Sequence, residues 1–407
     1  AYLPVTVAGV ADAPTLSVQA ASGNEDTAIA LSINPALVDT DGSETLSVRI
    51  SNVPAGATLS AGTNNGNGTW TLTPDQLTGL KITPPSNFSG AIDLVITAIS
   101  SESGTTAQTQ ATLRVTVAGV ADAPTLSVQA ASGNEDTAIA LSINPALVDT
   151  DNSEMLSVRI SNVPAGATLS AGTQNNDGTW TLTADQLSGL TLIPAANYNG
   201  SVNLTVSATS VDGSSTATTN TTLPLSIGAV ADTPVLTVQA ASGNEDTAIA
   251  LDIAASLTDS SEQLSIVISN VPAGAVLSAG TDNGDGSWTL TPDQLAGLTV
   301  TPAPNYSGSF TLTVTSTATE QQSTASTSSS FAVTVAPVAD TPTVSGQAAT
   351  GNEDTAIALD ISAALTDTSG SETLSITIGG MPAGTTLSAG LRNSNGSWTL
   401  TSDQLSG

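Results

Sequence analysis

Gly23-Asn24-Glu25-Asp26-Thr27-Ala28-Ile29-Ala30-Leu31 is the stretch from which the rest of the chain can be read. It returns at 133–141, 243–251 and 351–359, with Asn24 recurring at 134, 244 and 352. The spacings are 110, 110 and 108 residues. A fixed period of this length marks a tandem array of whole domains rather than a solenoid of small units. Each copy sets two adjacent carboxylates after a glycine and just ahead of an apolar, β-branched run.

Working outward from that stretch, the repeat divides the 407 residues into units at 12–118, 119–228 and 229–336. Residues 337–407 form an incomplete fourth unit, and 1–11 are the end of a preceding repeat with its linker. Leu3-Pro4-Val5-Thr6-Val7 matches the end of a unit, Leu113-Arg114-Val115-Thr116-Val117. Gly407 aligns with Gly79, so the sequence reads as a segment of a longer chain. Residues 5–63 and 115–173 differ only at Gly42/Asn152 and Thr45/Met155, a sign of recent duplication. Each join reads Val10-Ala11-Asp12-Ala13-Pro14 or its equivalent at 120–124, 230–234 and 338–342. Proline restrains the residue before it towards extended geometry, so the joins are short and stiff rather than flexible tethers.

Inside a unit the periodicity is that of strands. Leu46, Val48 and Ile50 alternate with Ser47, Arg49 and Ser51, and Leu113, Val115 and Val117 alternate with Arg114 and Thr116. Turn residues separate these runs: Pro54-Ala55-Gly56, then Asn65-Gly66-Asn67-Gly68 ahead of Thr69-Trp70-Thr71-Leu72. The one helical signal, Thr73-Pro74-Asp75-Gln76, carries a capping hydroxyl and a glutamine three residues on, and Gly79 limits it to a single turn. The expected fold is all-β, a tandem array of immunoglobulin-like (cadherin-like) antiparallel β-sandwiches of about 108–110 residues each. Trp70, Trp180, Trp288 and Trp398 are expected as core anchors, and Phe88, Tyr198 and Tyr306 as packing residues at a tight corner.

Composition narrows the function. There are 35 acidic and 5 basic residues, a formal charge of −30, which argues against nucleic acid and anionic membrane surfaces and favours cations. The chain has no Cys and no His, so disulfides, thiolate or imidazole zinc sites and triads that need His are excluded. It has no apolar run of membrane-spanning length and no signal-peptide pattern.

Three acidic groups recur in every unit: the linker aspartate, the Glu-Asp pair, and a loop cluster. They hold 22 of the 35 acidic residues. In unit one they are Asp12, Glu25, Asp26, Asp39, Asp41 and Glu44; in unit two Asp122, Glu135, Asp136, Asp149, Asp151 and Glu154. Unit three contributes Asp232, Glu245, Asp246, Asp259 and Glu262, and unit four Asp340, Glu353, Asp354, Asp367 and Glu372. In a sandwich the first strand carries the chain from the linker pole to the far pole, and the second brings it back. Glu25 and Asp26 are therefore expected to meet Asp122, Asp149, Asp151 and Glu154 of the next unit. The later junctions gather Glu135 and Asp136 with Asp232, Asp259 and Glu262, then Glu245 and Asp246 with Asp340, Asp367 and Glu372. Close carboxylate pairs repel by about 1 to 4 kcal/mol each without a counter-charge. An all-oxygen donor set with loose geometry fits Ca²⁺ better than Mg²⁺ or Zn²⁺. The twelfth position from Asp39 is Ile50, not the bidentate glutamate of an EF-hand. The bland alternative, exposed turn aspartates that cap locally, accounts for Asp39 or Asp12 alone. Asp282-Asn283-Gly284-Asp285-Gly286 reads as a hairpin turn.

Val-Ala-Asp-Ala-Pro, Gly-Asn-Glu-Asp-Thr-Ala-Ile, Asp-Gly-Ser-Glu (42–44 with Asp41) and Asn87-Phe88-Ser89-Gly90 together resemble the cadherin-like/immunoglobulin-like extender repeats of giant bacterial surface adhesins of the repeats-in-toxin (RTX) type. The resemblance spans essentially the whole chain. It implies an extracellular, bacterial cell-surface protein exported by type I secretion, with calcium at domain junctions stiffening a stalk that holds adhesive tips away from the cell for adhesion or biofilm formation. It implies neighbouring repeats of the same chain as partners, no nucleic acid, no membrane insertion, and an adhesive ligand bound by domains outside this segment. Unit three shortens the third loop to Asp259-Ser260-Ser261-Glu262, and unit four has Ser369 where unit one has Asp41. A second expectation is that the repeats bind carbohydrate or protein with avidity; ten aromatic residues give few anchors for it. The chain is not expected to be an enzyme, since near-identical acid pairs in every unit suit a structural ion better than four active sites.

Overall fold

The computed structural model describes residues 2–150 and 152–405. By internal contacts the chain forms two compact units, Ala1–Gly228 and Ala229–Gly407. The fold is all-β, built as tandem sandwiches of immunoglobulin-like arrangement.

The first sandwich contains β1 (Thr15–Gln19), β2 (Ala21–Asn24), β3 (Ile29–Ala30), β4 (Ser32–Ala36), β5 (Thr45–Ser51), β6 (Thr58–Leu59), β7 (Thr63–Gly66), β8 (Thr69–Leu72), β9 (Lys81–Thr83), β10 (Gly90–Glu102) and β11 (Thr105–Ala118). One sheet runs β2-β11-β10-β5-β8-β7; facing it are β3-β9-β6 and the pair β1-β4. The same three groupings recur over 125–228 in the first unit and 235–336 in the second. In residues 343–405 the second unit carries a shorter set, Thr343–Gly346 with Ile361–Ala364, and Ser375–Ile378 with Trp398–Thr401 and Leu391–Arg392.

The alternation in sequence becomes an inside and an outside. Along β10 and β11, Ile92, Leu94, Ile96, Leu113, Val115 and Val117 point into one core with Val48, Ile50, Leu72 and Ile82. Their counterparts form separate cores over 139–227 and 249–335. The outward positions are hydroxyl-rich, and cross-strand pairs such as Thr315–Ser328 at 2.8 Å tie the long hairpin together. Ile50 is fully buried, so Ile50→Ala is expected to destabilise the first sandwich by about 2–5 kcal/mol. Denaturant unfolding should show an earlier transition for that variant; an unchanged midpoint would contradict the packing described here.

The smaller signals are also placed. Pro74–Leu77 is one 3₁₀ turn closed by a capping box, in which the Thr73 N–H donates to Gln76 Oε1 at 2.9 Å. Trp180 is buried, and Trp70 and Trp288 pack partly buried against their cores. Asn87, Asn197 and Asn305 have φ of 57°, 57° and 59°, making the tight corner beside Phe88, Tyr198 and Tyr306.

The strand that leaves the linker pole is not one continuous run. The chain changes sheets after Gln19: β1 pairs with β4, and β2 pairs in parallel with the end of β11. Every other strand pairing in the sandwich is antiparallel. This parallel step puts Asn24 opposite Ala118, and so places Glu25 beside the linker that leaves β11.

Candidate metal centre

In the first unit the Glu25 backbone N–H donates to Ala118 O at 3.0 Å, and the Val120 N–H donates to Glu25 Oε1 at 2.5 Å. The linker is thereby wrapped around one glutamate. That side chain is only 4% exposed, and its Oε2 has no hydrogen-bond partner. Two acids of the second sandwich meet it: Asp149, from the loop after residues 142–146, and Asp212, at the end of strand Gly200–Asp212. One carboxylate oxygen from each of Glu25, Asp149 and Asp212 lies within 4.8 Å of the other two, and all three residues are buried. Asp212 Oδ2 also lacks a partner.

The second sandwich adds a flank to this triplet. The Asp122 N–H donates to Glu154 Oε1 at 2.6 Å, and the Ser210 hydroxyl donates to the Asp122 carbonyl. Glu154 is buried with Oε2 unpartnered. Ser153 donates to Asp149 Oδ2 at 3.1 Å. Burial away from water raises the Glu25 pKa above its ordinary 4.5, against the opposing Val120 hydrogen bond, and the charges of Asp149, Asp212 and Asp26 raise it further. Glu154 is raised in the same way by burial and by Asp149, Asp122 and Asp212. Asp151 lies outside the described residues.

The first sandwich has the same linker-side residues. The Asp12 N–H donates to Glu44 Oε1 at 2.5 Å, and Glu44 is buried with Oε2 unpartnered. Asp39, however, is half-buried where Asp149 is 4% exposed. Asp41 turns into its own loop, accepting from the Ser43 hydroxyl and N–H, and these bonds hold its pKa low.

The second acid of each pair stands elsewhere. Asp26, Asp136, Asp246 and Asp354 have φ of 54°, 56°, 56° and 58°. Asp26 Oδ1 accepts from the Asn87 N–H at 3.1 Å, Asp136 from Asn197 at 3.1 Å, and Asp246 from Asn305 at 2.9 Å. These carboxylates are exposed and join the turn to the aromatic corner of their own sandwich. Glu135 repeats the Glu25 backbone bond, its N–H donating to Gly228 O at 3.0 Å, and Asn199 Nδ2 donates to its Oε2 at 3.4 Å.

In the second unit the Asp232 N–H donates to Glu262 Oε1, and one Ser261 hydroxyl bridges Asp259 Oδ2 at 2.6 Å and Glu320 Oε1 at 2.8 Å. Glu262 is buried, and burial with the charges of Asp232, Asp259 and Glu320 raises its pKa. Glu245 accepts from the Val338 N–H at 2.6 Å, and Glu372 accepts from the Asp340 N–H at 2.5 Å. Asn305 Nδ2 reaches Asp340 Oδ2 at 3.4 Å. Asp367 is 1% exposed and accepts from the Ser369 N–H at 2.6 Å and from the Ser369 and Ser371 hydroxyls; these bonds pull its pKa down to about 2. Glu353 and Asp354 are exposed. Asp282 and Asp285 each accept bonds within the hairpin turn.

Asp212 and its counterparts Glu102 and Glu320 were not among the residues expected from the sequence. All three end the long strand of a sandwich at spacings of 110 and 108 residues, so the repeat period aligns them with one another.

No protein-family model matches the chain, and no curated protein matches it. Among solved structures it is similar to Drosophila N-cadherin EC1–4, at 14% identity over 80% of this chain and 76% of that one, with a TM-score of 0.27. It is similar to the human desmocollin-1 ectodomain at 12% identity, covering 90% and 69%, with a TM-score of 0.29. A third is Sidekick-1 immunoglobulin domains 1–5, at 12% identity, 81% and 60% coverage and a TM-score of 0.27. No helix among the described residues is long and apolar enough to cross a membrane.

Proposed function

We propose that this chain is a calcium-rigidified extender segment of a large secreted bacterial cell-surface adhesin of the RTX type. One observation carries the reading: two successive sandwiches bring buried carboxylates to one point, Glu25 from the first and Asp149 and Asp212 from the second, with Glu25 Oε2 and Asp212 Oδ2 unpartnered. Two oxygens bound to one Ca²⁺ are separated by no more than about 5 Å, since each sits 2.3–2.6 Å from the ion. The triplet meets that limit, supplies only hard oxygen donors, and has no base within it to neutralise its charge. Glu25, Asp149 and Asp212 would hold the ion, with Asp122 and Glu154 beside it; bound calcium supplies the positive charge that lets these groups stay ionised and close. The protein's own part is to fix the linker on Glu25 and to present two acids from the next sandwich.

In this role the chain is a structural spacer rather than an enzyme, its recurring acids serving junctions between repeats. Surface display, type I export and a function in adhesion or biofilm follow from the family resemblance, with the adhesive ligand bound by other domains. Extracellular modules bind calcium with Kd of about 10⁻⁴–10⁻³ M, so external fluids load such sites and cytosol does not. Small-angle scattering of the full chain is expected to give a longer maximum dimension in millimolar calcium than in chelator. Equal dimensions in the two conditions would sink the rigid-stalk reading.

A further inference from the structure

Gly119 is the first linker residue after β11, and its backbone does not require a glycine, because its φ lies outside the left-handed region. The space around it does. A Cβ built on Gly119 would stand 1.8 Å from Asp212 Oδ2 and 2.3 Å from Asp212 Cγ. The Asp212 carboxylate therefore occupies the volume that any other residue at 119 would fill with its side chain. Asp212 is 8% exposed, its Oδ2 has no hydrogen-bond partner, and its carboxylate belongs to the triplet with Glu25 and Asp149.

We propose that Gly119 is a positioning residue for the cation, admitting the carboxylate of Asp212 to the linker so that this third acid completes the first junction's site. The inference rests on the calcium reading above. Its physical basis is that the atom in conflict is the end of a side chain, not backbone. Adding a methyl at 119 displaces the carboxylate and leaves the sandwich fold in place. The repeats themselves vary this pair. The first sandwich combines Gly9 with Glu102, and a Cβ at Gly9 would likewise meet Glu102 Oε1 at 1.8 Å. At the matching repeat positions the second unit has Ala229 and Glu320, a residue that already carries a methyl and a longer acid. A glutamate has the extra methylene needed to carry its oxygens around that methyl, and the Ser261 hydroxyl holds Glu320 Oε1 at 2.8 Å.

The test is a calorimetric calcium titration of the full 407-residue chain as wild type, Gly119→Ala, and the double variant Gly119→Ala/Asp212→Glu, each also melted in chelator. Gly119→Ala is expected to weaken the first-junction calcium site by about tenfold or more, the size of effect that outer-shell positioning residues have on metal sites. Its melting in chelator should match the wild type, which separates positioning from folding. The double variant, which installs the Ala–Glu pairing of 229 and 320, should recover at least half of the lost affinity on a logarithmic scale. Unchanged affinity in Gly119→Ala, an equal fall in chelator melting, or a double variant without recovery would each overturn the inference. A wild type that binds no calcium would instead remove the functional reading on which it rests.

Discussion

Glu25→Gln is expected to lower calcium affinity at the first junction by on the order of 100-fold, equivalent to about 2.7 kcal/mol. The substitution is nearly isosteric, and its amide oxygen can still accept the Val120 N–H that now goes to Glu25 Oε1. What it removes is one charge of the buried triplet, and calcium affinity depends strongly on the number of charged ligands. The same change should have the opposite effect without calcium. Burial and the charges of Asp149, Asp212 and Asp26 all disfavour ionised Glu25, so a neutral side chain relieves them. Glu25→Gln is therefore expected to melt higher than wild type in chelator and lower in saturating calcium. Asp26→Asn, which keeps a short polar side chain suited to φ 54°, should change calcium affinity by less than about threefold. A titration in which the two variants behave alike would contradict the separate placement of these neighbours.

That separation shows what the sequence could and could not display. The period exposed the repeated domains, and strand direction put Glu25 opposite the next unit's loop, where Asp149 is found. Adjacency of Glu25 and Asp26 hid their difference. The second residue takes a left-handed conformation, which sends its carboxylate to the Asn87 N–H rather than into the junction. Asp212 escaped for another reason. Glu102, Asp212 and Glu320 sit in Ser-Glu-Ser-Gly, Val-Asp-Gly-Ser and Thr-Glu-Gln-Gln, with no shared motif, and an acid in a hairpin reads as a solvated charge. Only the parallel pairing of β2 with β11, which depends on a switch of sheets that alternation does not encode, brings the linker and Glu25 to the end of that hairpin.

Calcium should also reverse the pH dependence of stability. Glu25, Glu154 and Glu262 have folded-state pKa values raised above 4.5 by burial and by neighbouring carboxylates. For such groups the native state holds more protons than the unfolded chain between the ordinary and the raised pKa, so stability falls as pH rises through that window. Asp41, Asp177, Asp285 and Asp367 are shifted the other way by hydrogen bonds from serine and threonine, Asp367 to about 2 from 3.8. Their contribution is present above 3.8 and is lost as pH falls through the lowered values. The calcium-free chain is therefore expected to be most stable near pH 4–5 and less stable at neutral pH, a direction that the overall charge of −30 reinforces. With calcium bound, Glu25 must be deprotonated to act as a ligand and Glu154 sits beside the added positive charge, so binding is linked to proton release and stability rises from pH 4.5 towards neutrality. Melting the full chain at about pH 4.5 and 7.5, in chelator and in calcium well above the millimolar range expected for extracellular modules, gives four values. The order should invert between the two conditions. If the chain in chelator melted higher at pH 7.5 than at pH 4.5, the buried glutamates would not be carrying uncompensated charge, and the electrostatic case for a cation at the first junction would fail with them.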